Sequence, residues 1–239
     1  MHKTRGIVFK TTDYSESSVV VQVFTEKFGL QAYLVNGAKK PKAKIGYNML
    51  QPLHLLEMVV YHKEAGGIQR IKELKNIPVL LSVPYDIIKS CMALFLNEVL
   101  YKAVKQQSPD ENLFDFIFTA IEWLDHQENA PSNYHLLFLI RLSRYLGFFP
   151  DRSVAGEDYF DLKNGTFSKF KPDSVFYLSP PHTSNFVRLI QCKFEDMGGV
   201  KLSNAERRYL IGKLLDYYAL HVEGFGNIRS HEVLEEVLG

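Results

Sequence analysis

The hydrophobic period changes once along the chain, and that change constrains the fold more than any single motif. Up to about residue 75, apolar residues alternate as in half-buried strands; beyond Pro84 they recur every three or four positions, as on one face of a helix. The strand-like runs are Gly6 to Thr12, Ser18 to Thr25, Leu30 to Asn36, Leu53 to Tyr61 and a more polar one from Ile68 to Leu74. In the second, Val19, Val21 and Val23 share one face, and Val20, Gln22 and Phe24 the other. Turn-forming residues separate the runs: Asp13 to Ser17, Lys27-Phe28-Gly29, Asn36-Gly37 and Ala65-Gly66-Gly67. Five short strands in so few residues predict a small closed barrel of the OB type over residues 1–80. Such barrels bind oligonucleotides on a strand face and its flanking loops.

The rest, residues 81–239, reads as a mainly helical domain, which places the chain in the α+β class. Tyr85, Ile88, Met92, Phe95, Val99 and Ala103 make one stripe; Leu113, Phe116, Ile117, Ala120, Ile121 and Leu124 make a second. Tyr134 to Leu146 is apolar on nearly all sides, as in a central buried helix, and is interrupted only on the face that carries Arg141 and Arg144. Residues 156–182 turn strand-like again, and Asn164-Gly165 between aromatic runs predicts a β-hairpin insertion. Ser203 and Glu206 form a capping box for a helix striped by Leu210, Ile211, Leu214, Leu215, Tyr218 and Val222 and closed by Gly224, and Ser230 caps a short terminal helix.

Composition matters here for its distribution. The net charge of +1 hides a barrel segment, residues 1–80, with 12 basic and 6 acidic residues, and a remainder with 16 basic and 21 acidic. Between Glu26 and Glu57 there is no acid, while Lys27, Lys39, Lys40, Lys42 and Lys44 fall in that interval. One reading of the lysine run is a solvated loop; the other is a loop that contacts phosphates and releases condensed counterions when it does. Arg70 and Lys72, two apart in the fifth strand, are expected on one face of it. No apolar run approaches the roughly 20 residues that span a bilayer, and the N-terminus has no signal-like apolar region. The expectation is a cytoplasmic protein that makes no membrane contact.

Catalytic signatures are absent from the sequence. None of the eight histidines falls in HExxH, there is no GxSxG or GxxxxGK[ST], and His62-Lys63-Glu64 lacks the downstream PCxxC of a zinc deaminase. Cys91 and Cys192 are too far apart for a CxxC pair and read as small buried apolar residues. Neither an enzyme nor a cofactor is expected, which leaves binding.

Several short motifs, in order, then carry a resemblance: Gly6-Ile7-Val8, Tyr14-Ser15-Glu16, Phe24-Thr25-Glu26 with Gly29, Gly37-Ala38-Lys39-Lys40, Leu50-Gln51-Pro52, Asn97-Glu98-Val99-Leu100, Leu146-Gly147-Phe148 and Ile228-Arg229-Ser230. In them the chain resembles the bacterial RecO recombination mediators, DNA-repair proteins with an N-terminal OB fold and a helical C-terminal domain. Many of these carry two CxxC-type pairs around a zinc-bound hairpin after the segment matching Leu146-Gly147-Phe148. This chain offers only Cys192 there, so it resembles the zinc-free branch, with a hairpin held by Tyr159, Phe160, Phe167, Phe170 and Phe176 and no metal. The resemblance implies binding of single- and double-stranded DNA, annealing of complementary strands, and action with RecR to load RecA onto DNA coated by single-strand-binding protein. Phosphates would meet Lys39, Lys40, Lys42 and Lys44, with Arg70, Lys72, Arg5 and Lys10 extending the track. The acidic, aromatic-ended tail of single-strand-binding protein would dock on the helical domain, with Arg141 and Arg144 as its cationic lip. Those arginines read equally well as internal partners of acids such as Glu98 or Glu122. The competing function is a non-catalytic adaptor whose barrel binds a partner protein, its lysines serving solubility.

Overall fold

The structure is a computed structural model that describes residues 1–63, 66–151 and 158–238. The turn at Ala65 and the first two positions of the 156–182 insertion lie outside the described residues. The chain forms two compact units, Met1–His126 and Gln127–Gly239. The change of period at 80/81 falls inside the first unit, because it marks a change of secondary structure while packing joins the next two helices to the barrel.

Strands β1 (His2–Asp13), β2 (Val19–Thr25), β3 (Gly29–Val35), β4 (Leu55–Tyr61) and β5 (Gln69–Asn76) close into a barrel in the order β1-β2-β3-β5-β4. All pairs are antiparallel except β3 with β5. Alternation supplies the interior: Val8, Val19, Val21, Val23, Tyr33, Leu56, Met58, Val60 and Leu74 point inward. Gly6 is required there, since a Cβ would lie 2.6 Å from Val23 Cγ1 and 2.7 Å from Met58 Cε. Ala38 and Leu50 join the same core from the segment between β3 and β4, with Ile45 and Met49 packed against it.

The outward side is wet only in part. Phe9 and Phe24 stack at 5.7 Å, and Phe24 meets Phe114 of helix α2 (Glu111–His126) at 5.9 Å, so this face is a second core. The β1–β2 register slips at Phe9, and Asn97 of helix α1 (Ile87–Ala103) donates its amide to the Phe9 carbonyl at 3.0 Å. At the end of α2, the Asp125 carboxylate accepts from the backbone N–H groups of Leu81, Ser82 and Val83, each at 2.8 Å, and so fixes the segment that leaves the barrel. Burial alone would raise the Asp125 pKa; these backbone donors overcome it and hold the carboxyl below its ordinary value. Helix α1 starts at Ile87 under an Asp86 cap, so Tyr85, expected in its stripe, precedes it and is exposed.

In the second unit the buried helix α3 (Tyr134–Tyr145) packs against α4 (His182–Gln191) and α5 (Asn204–His221), with α6 (Ser230–Leu238) beside α5. The Ser203–Glu206 capping box forms as expected. The hairpin of β6 (Tyr159–Asp161) and β7 (Thr166–Ser168) gains a third strand, β8 (Tyr177–Leu178), in the order β7-β6-β8. Phe160 anchors it, 4.8 Å from Phe167, 4.9 Å from Phe186 and 5.6 Å from Tyr217. Phe170 and Phe176, expected to hold the hairpin, are 82% and 37% exposed; Leu162, Leu178 and Phe186 take that part, because the chain after β7 turns away from the core.

Candidate nucleic-acid interface

Residues paired directly across neighbouring strands share a face. The ladder places Thr12, Val20, Leu34, Arg70 and Tyr61 in one outward row across β1, β2, β3, β5 and β4. Arg70 and Tyr61 are exposed, and Val20 and Leu34 are half-buried. A parallel row, Lys10, Gln22 and Ala32, lies beside it. The first row sits at the barrel end where the β1–β2 turn, the lysine loop and the β4–β5 turn all emerge. The Lys39 N–H donates to Ser17 O at 3.1 Å, which ties the lysine loop to the β1–β2 turn that presents Tyr14.

The loop is ordered by its own turns: Lys40 N–H donates to Gly37 O at 3.0 Å, Ala43 N–H to Lys40 O at 3.2 Å, and Tyr47 N–H to Ala38 O at 2.9 Å. Because Ala38 and Ile45 are held by the core, the lysines between them are presented from an anchored loop. Lys42 adopts φ 61°, a left-handed conformation uncommon for a residue with a side chain. Lys39 pairs with Asp13 at 2.6 Å. Among the described residues, Lys40, Lys42 and Lys44 are exposed and no carboxylate lies within ion-pair distance of them.

The other expected contacts divide. Arg5 is committed: its guanidinium meets Glu26 at 2.9 Å and Asp115 at 2.6 Å and lies 5.0 Å and 5.1 Å from the ring centroids of Phe114 and Phe118. The hydrogen bond to Glu26 is the largest influence and raises the arginine pKa; it equally holds the Glu26 carboxyl below its usual range. Lys10 is exposed but leans on Tyr101 of α1, 3.3 Å from its hydroxyl and 4.8 Å from its ring centroid. Arg70 and Lys72 do not follow simple two-residue alternation. The β4–β5 register steps from Val60–Ile71 to Val59–Glu73, leaving Lys72 without a cross-strand partner, exposed and 3.8 Å from Glu73. In the second unit, Arg141 donates to the Cys192 carbonyl, and Arg144 is exposed with its guanidinium 4.4 Å from the Phe149 ring centroid. Arg141 thus meets a carbonyl and Arg144 a ring.

Tyr61 and Tyr14, 47% and 62% exposed, are the side chains that the sequence reading passed over. The available signal for Tyr61 was a large aromatic at a strand end beside a turn. Cys91 and Cys192 are both buried, and burial raises their thiol pKa values. Among the described residues no group of three or more His, Cys, Asp or Glu is placed to hold a metal ion, and no helix is long and apolar enough to cross a membrane.

Comparison with known proteins matches the chain to one family along most of its length. The family profile described as Recombination protein O N terminal covers residues 1–78, and the one described as Recombination protein O C terminal covers residues 84–230. This chain belongs to the RecO family of DNA repair proteins. The DNA repair protein RecO of Flavobacterium psychrophilum is 37% identical over 238 residues, 98% of each chain. The proteins of that name from Azobacteroides pseudotrichonymphae and Bacteroides fragilis are each 35% identical, over 99% of both chains. In this RecO-family chain, Lys40, Lys42, Lys44 and Arg70 are exposed at the barrel end from which the lysine loop leaves.

Proposed function

We propose that this DNA repair protein is a non-catalytic recombination mediator that binds single- and double-stranded DNA through the open end of its barrel and anneals complementary strands. The reading rests above all on one observation: Lys40, Lys42 and Lys44, which meet no carboxylate among the described residues, stand beside an outward row holding Arg70 and Tyr61. Tethered ammonium groups attract phosphates without reading bases, so binding is strongly salt-dependent and nearly indifferent to sequence. Half-buried Val20 and Leu34 and exposed Tyr61 offer a surface for unstacked bases. Annealing follows physically, because cations that hold two backbones reduce their repulsion while base pairing selects the partner.

The family further suggests the partners: RecR, the acidic tail of single-strand-binding protein, and through them the loading of RecA, in the bacterial cytoplasm at the nucleoid. Arg144 remains the proposed cationic lip for that tail. Arg141 donates instead to the Cys192 carbonyl.

The adaptor reading draws on a different observation, an uncharged segment with Val79, Leu81 and Tyr85 exposed by 62%, 75% and 85%. Titrating labelled single-stranded DNA over a salt series, followed by a strand-annealing assay, separates the two. A mediator shows log affinity falling linearly with log salt, and accelerated annealing. An adaptor shows neither.

A further inference from the structure

The small sheet of the second unit carries an exposed aromatic and basic loop that the barrel interface does not use. After β7 the chain runs Lys169-Phe170-Lys171-Pro172-Asp173-Ser174-Val175-Phe176. Phe170 is 82% exposed, and its backbone is fixed by Ser168, whose Oγ accepts from the Phe170 N–H at 3.0 Å and donates to the Phe170 carbonyl at 2.9 Å. Lys171 holds its ammonium 5.4 Å from the ring centroid of Tyr177, which in turn lies edge-on to Tyr159 at 5.9 Å. Lys169 is exposed. Between Thr166 and Leu178 the only acid is Asp173. The nearby Asp161 is turned back on its own turn, accepting from the Lys163 and Asn164 backbone N–H groups at 2.8 and 3.3 Å.

A large exposed ring on a hydrogen-bonded turn, flanked on both sides by lysines, is poorly explained by folding, since it leaves the hairpin core to Phe160 and Phe167. Its chemistry suits a strand with unstacked bases: a base stacks on the ring while the flanking ammonium groups meet adjacent phosphates. A duplex presents no free base face to it. We propose that the β7–β8 loop is a second contact for single-stranded nucleic acid, with Phe170 as the stacking side chain and Lys169 and Lys171 as phosphate partners. This deepens the mediator reading and rests on it, because annealing brings two strands to one protein and the barrel end supplies one contact.

The test uses the full chain and oligodeoxythymidine with 5-bromouracil substitutions. Irradiation is expected to cross-link the strand to the 169–177 peptide of the wild-type protein. Phe170→Ala is expected to abolish that adduct, weaken single-strand binding about 5-fold and leave duplex affinity unchanged, whereas Phe170→Trp restores binding. Lys169→Ala/Lys171→Ala is expected to lower the salt slope by about 1.4, given about 0.7 per single-strand phosphate. Wild-type binding and cross-linking confined to the barrel, with Phe170→Ala indistinguishable from wild type, overturns the proposal and leaves the barrel reading standing. No strand binding by the wild type overturns both. Loss of affinity for an acidic aromatic peptide in Phe170→Ala, with strand binding intact, makes the loop a protein site and also overturns the proposal.

Discussion

On the side of the barrel covered by α2, the Arg5 guanidinium meets two carboxylates and two aromatic rings; at the end from which the lysine loop leaves, Lys40, Lys42 and Lys44 meet no carboxylate among the described residues. Both surfaces are basic in sequence. The difference lies in where the acids are. Residues 81–126 hold 3 basic and 7 acidic residues, whereas residues 127–239 hold 13 and 14, so most of the acidic excess outside the barrel belongs to α1, α2 and their flanking segments. Asp115 of α2 neutralises Arg5 on the covered side, while the open end keeps its charge. A cation therefore has two uses in this barrel, and burial of its neighbours decides which.

The largest effect that would sharpen this contrast is on stability. Asp125 satisfies three backbone donors on the covered side, so Asp125→Ala should cost about 3 kcal/mol in urea unfolding while leaving the salt slope for DNA unchanged. The pH dependence follows from the depressed folded-state pKa. The contribution is complete above the ordinary carboxylate value of about 4 and is lost as pH falls through the lower folded value, so the stability gap between wild type and Asp125→Asn should narrow progressively as pH falls below about 4. A gap that is constant with pH would show that the carboxylate charge is not what fixes the segment.

Next comes Arg5→Ala. Its ion pairs are partly exposed and screened, so the loss is about 1 kcal/mol, again without a change in the DNA salt slope. Since the Glu26 pKa is lowered chiefly by its hydrogen bond from Arg5, that stabilisation is present above the normal glutamate range and fades in acid. On the open side, Tyr61→Ala should weaken single-strand binding by about 5-fold and spare stability, and equal losses for single strands and duplex would rule out base stacking at that position. The smallest effect belongs to Arg144→Ala: calorimetric affinity for an acidic, aromatic-ended peptide should fall roughly 2- to 3-fold with the fold intact, as for an exposed ion pair. Unchanged affinity would move the tail elsewhere.

Much of the fold was legible because period-two alternation reports sidedness directly: Val19, Val21 and Val23 share one face as expected, which is the inward one, and the strand limits agree closely except that β1 begins at His2. Alternation does not say whether the outward side meets water or another element. Phe9 and Phe24 on that side were a readable hint of a covered face, but Asp115, the second carboxylate at Arg5, lies 110 positions away and no local pattern identifies it. The bulge at Lys72 changes register by one residue, too small a signal for the composition of β5 to reveal. Helix α4 also went unread, its ten residues carrying only a short stripe of Thr183, Phe186, Leu189 and Ile190. In the candidate site, the lysine cluster was evident as charge without acid, whereas the pairing of Lys39 with Asp13 and the exposure of Tyr61 depend on how the three loops converge.

The central claim, that the open barrel end and not the covered face holds DNA, is tested most directly by the salt dependence of single-strand affinity in two variants measured side by side. For Lys40→Ala/Lys42→Ala/Lys44→Ala, three lost phosphate contacts at about 0.7 each should lower the slope of log affinity against log salt by about 2, while Arg5→Ala keeps the wild-type slope. A folded triple variant with an unchanged slope, or an Arg5→Ala slope that falls as far as that of the triple, would contradict the account.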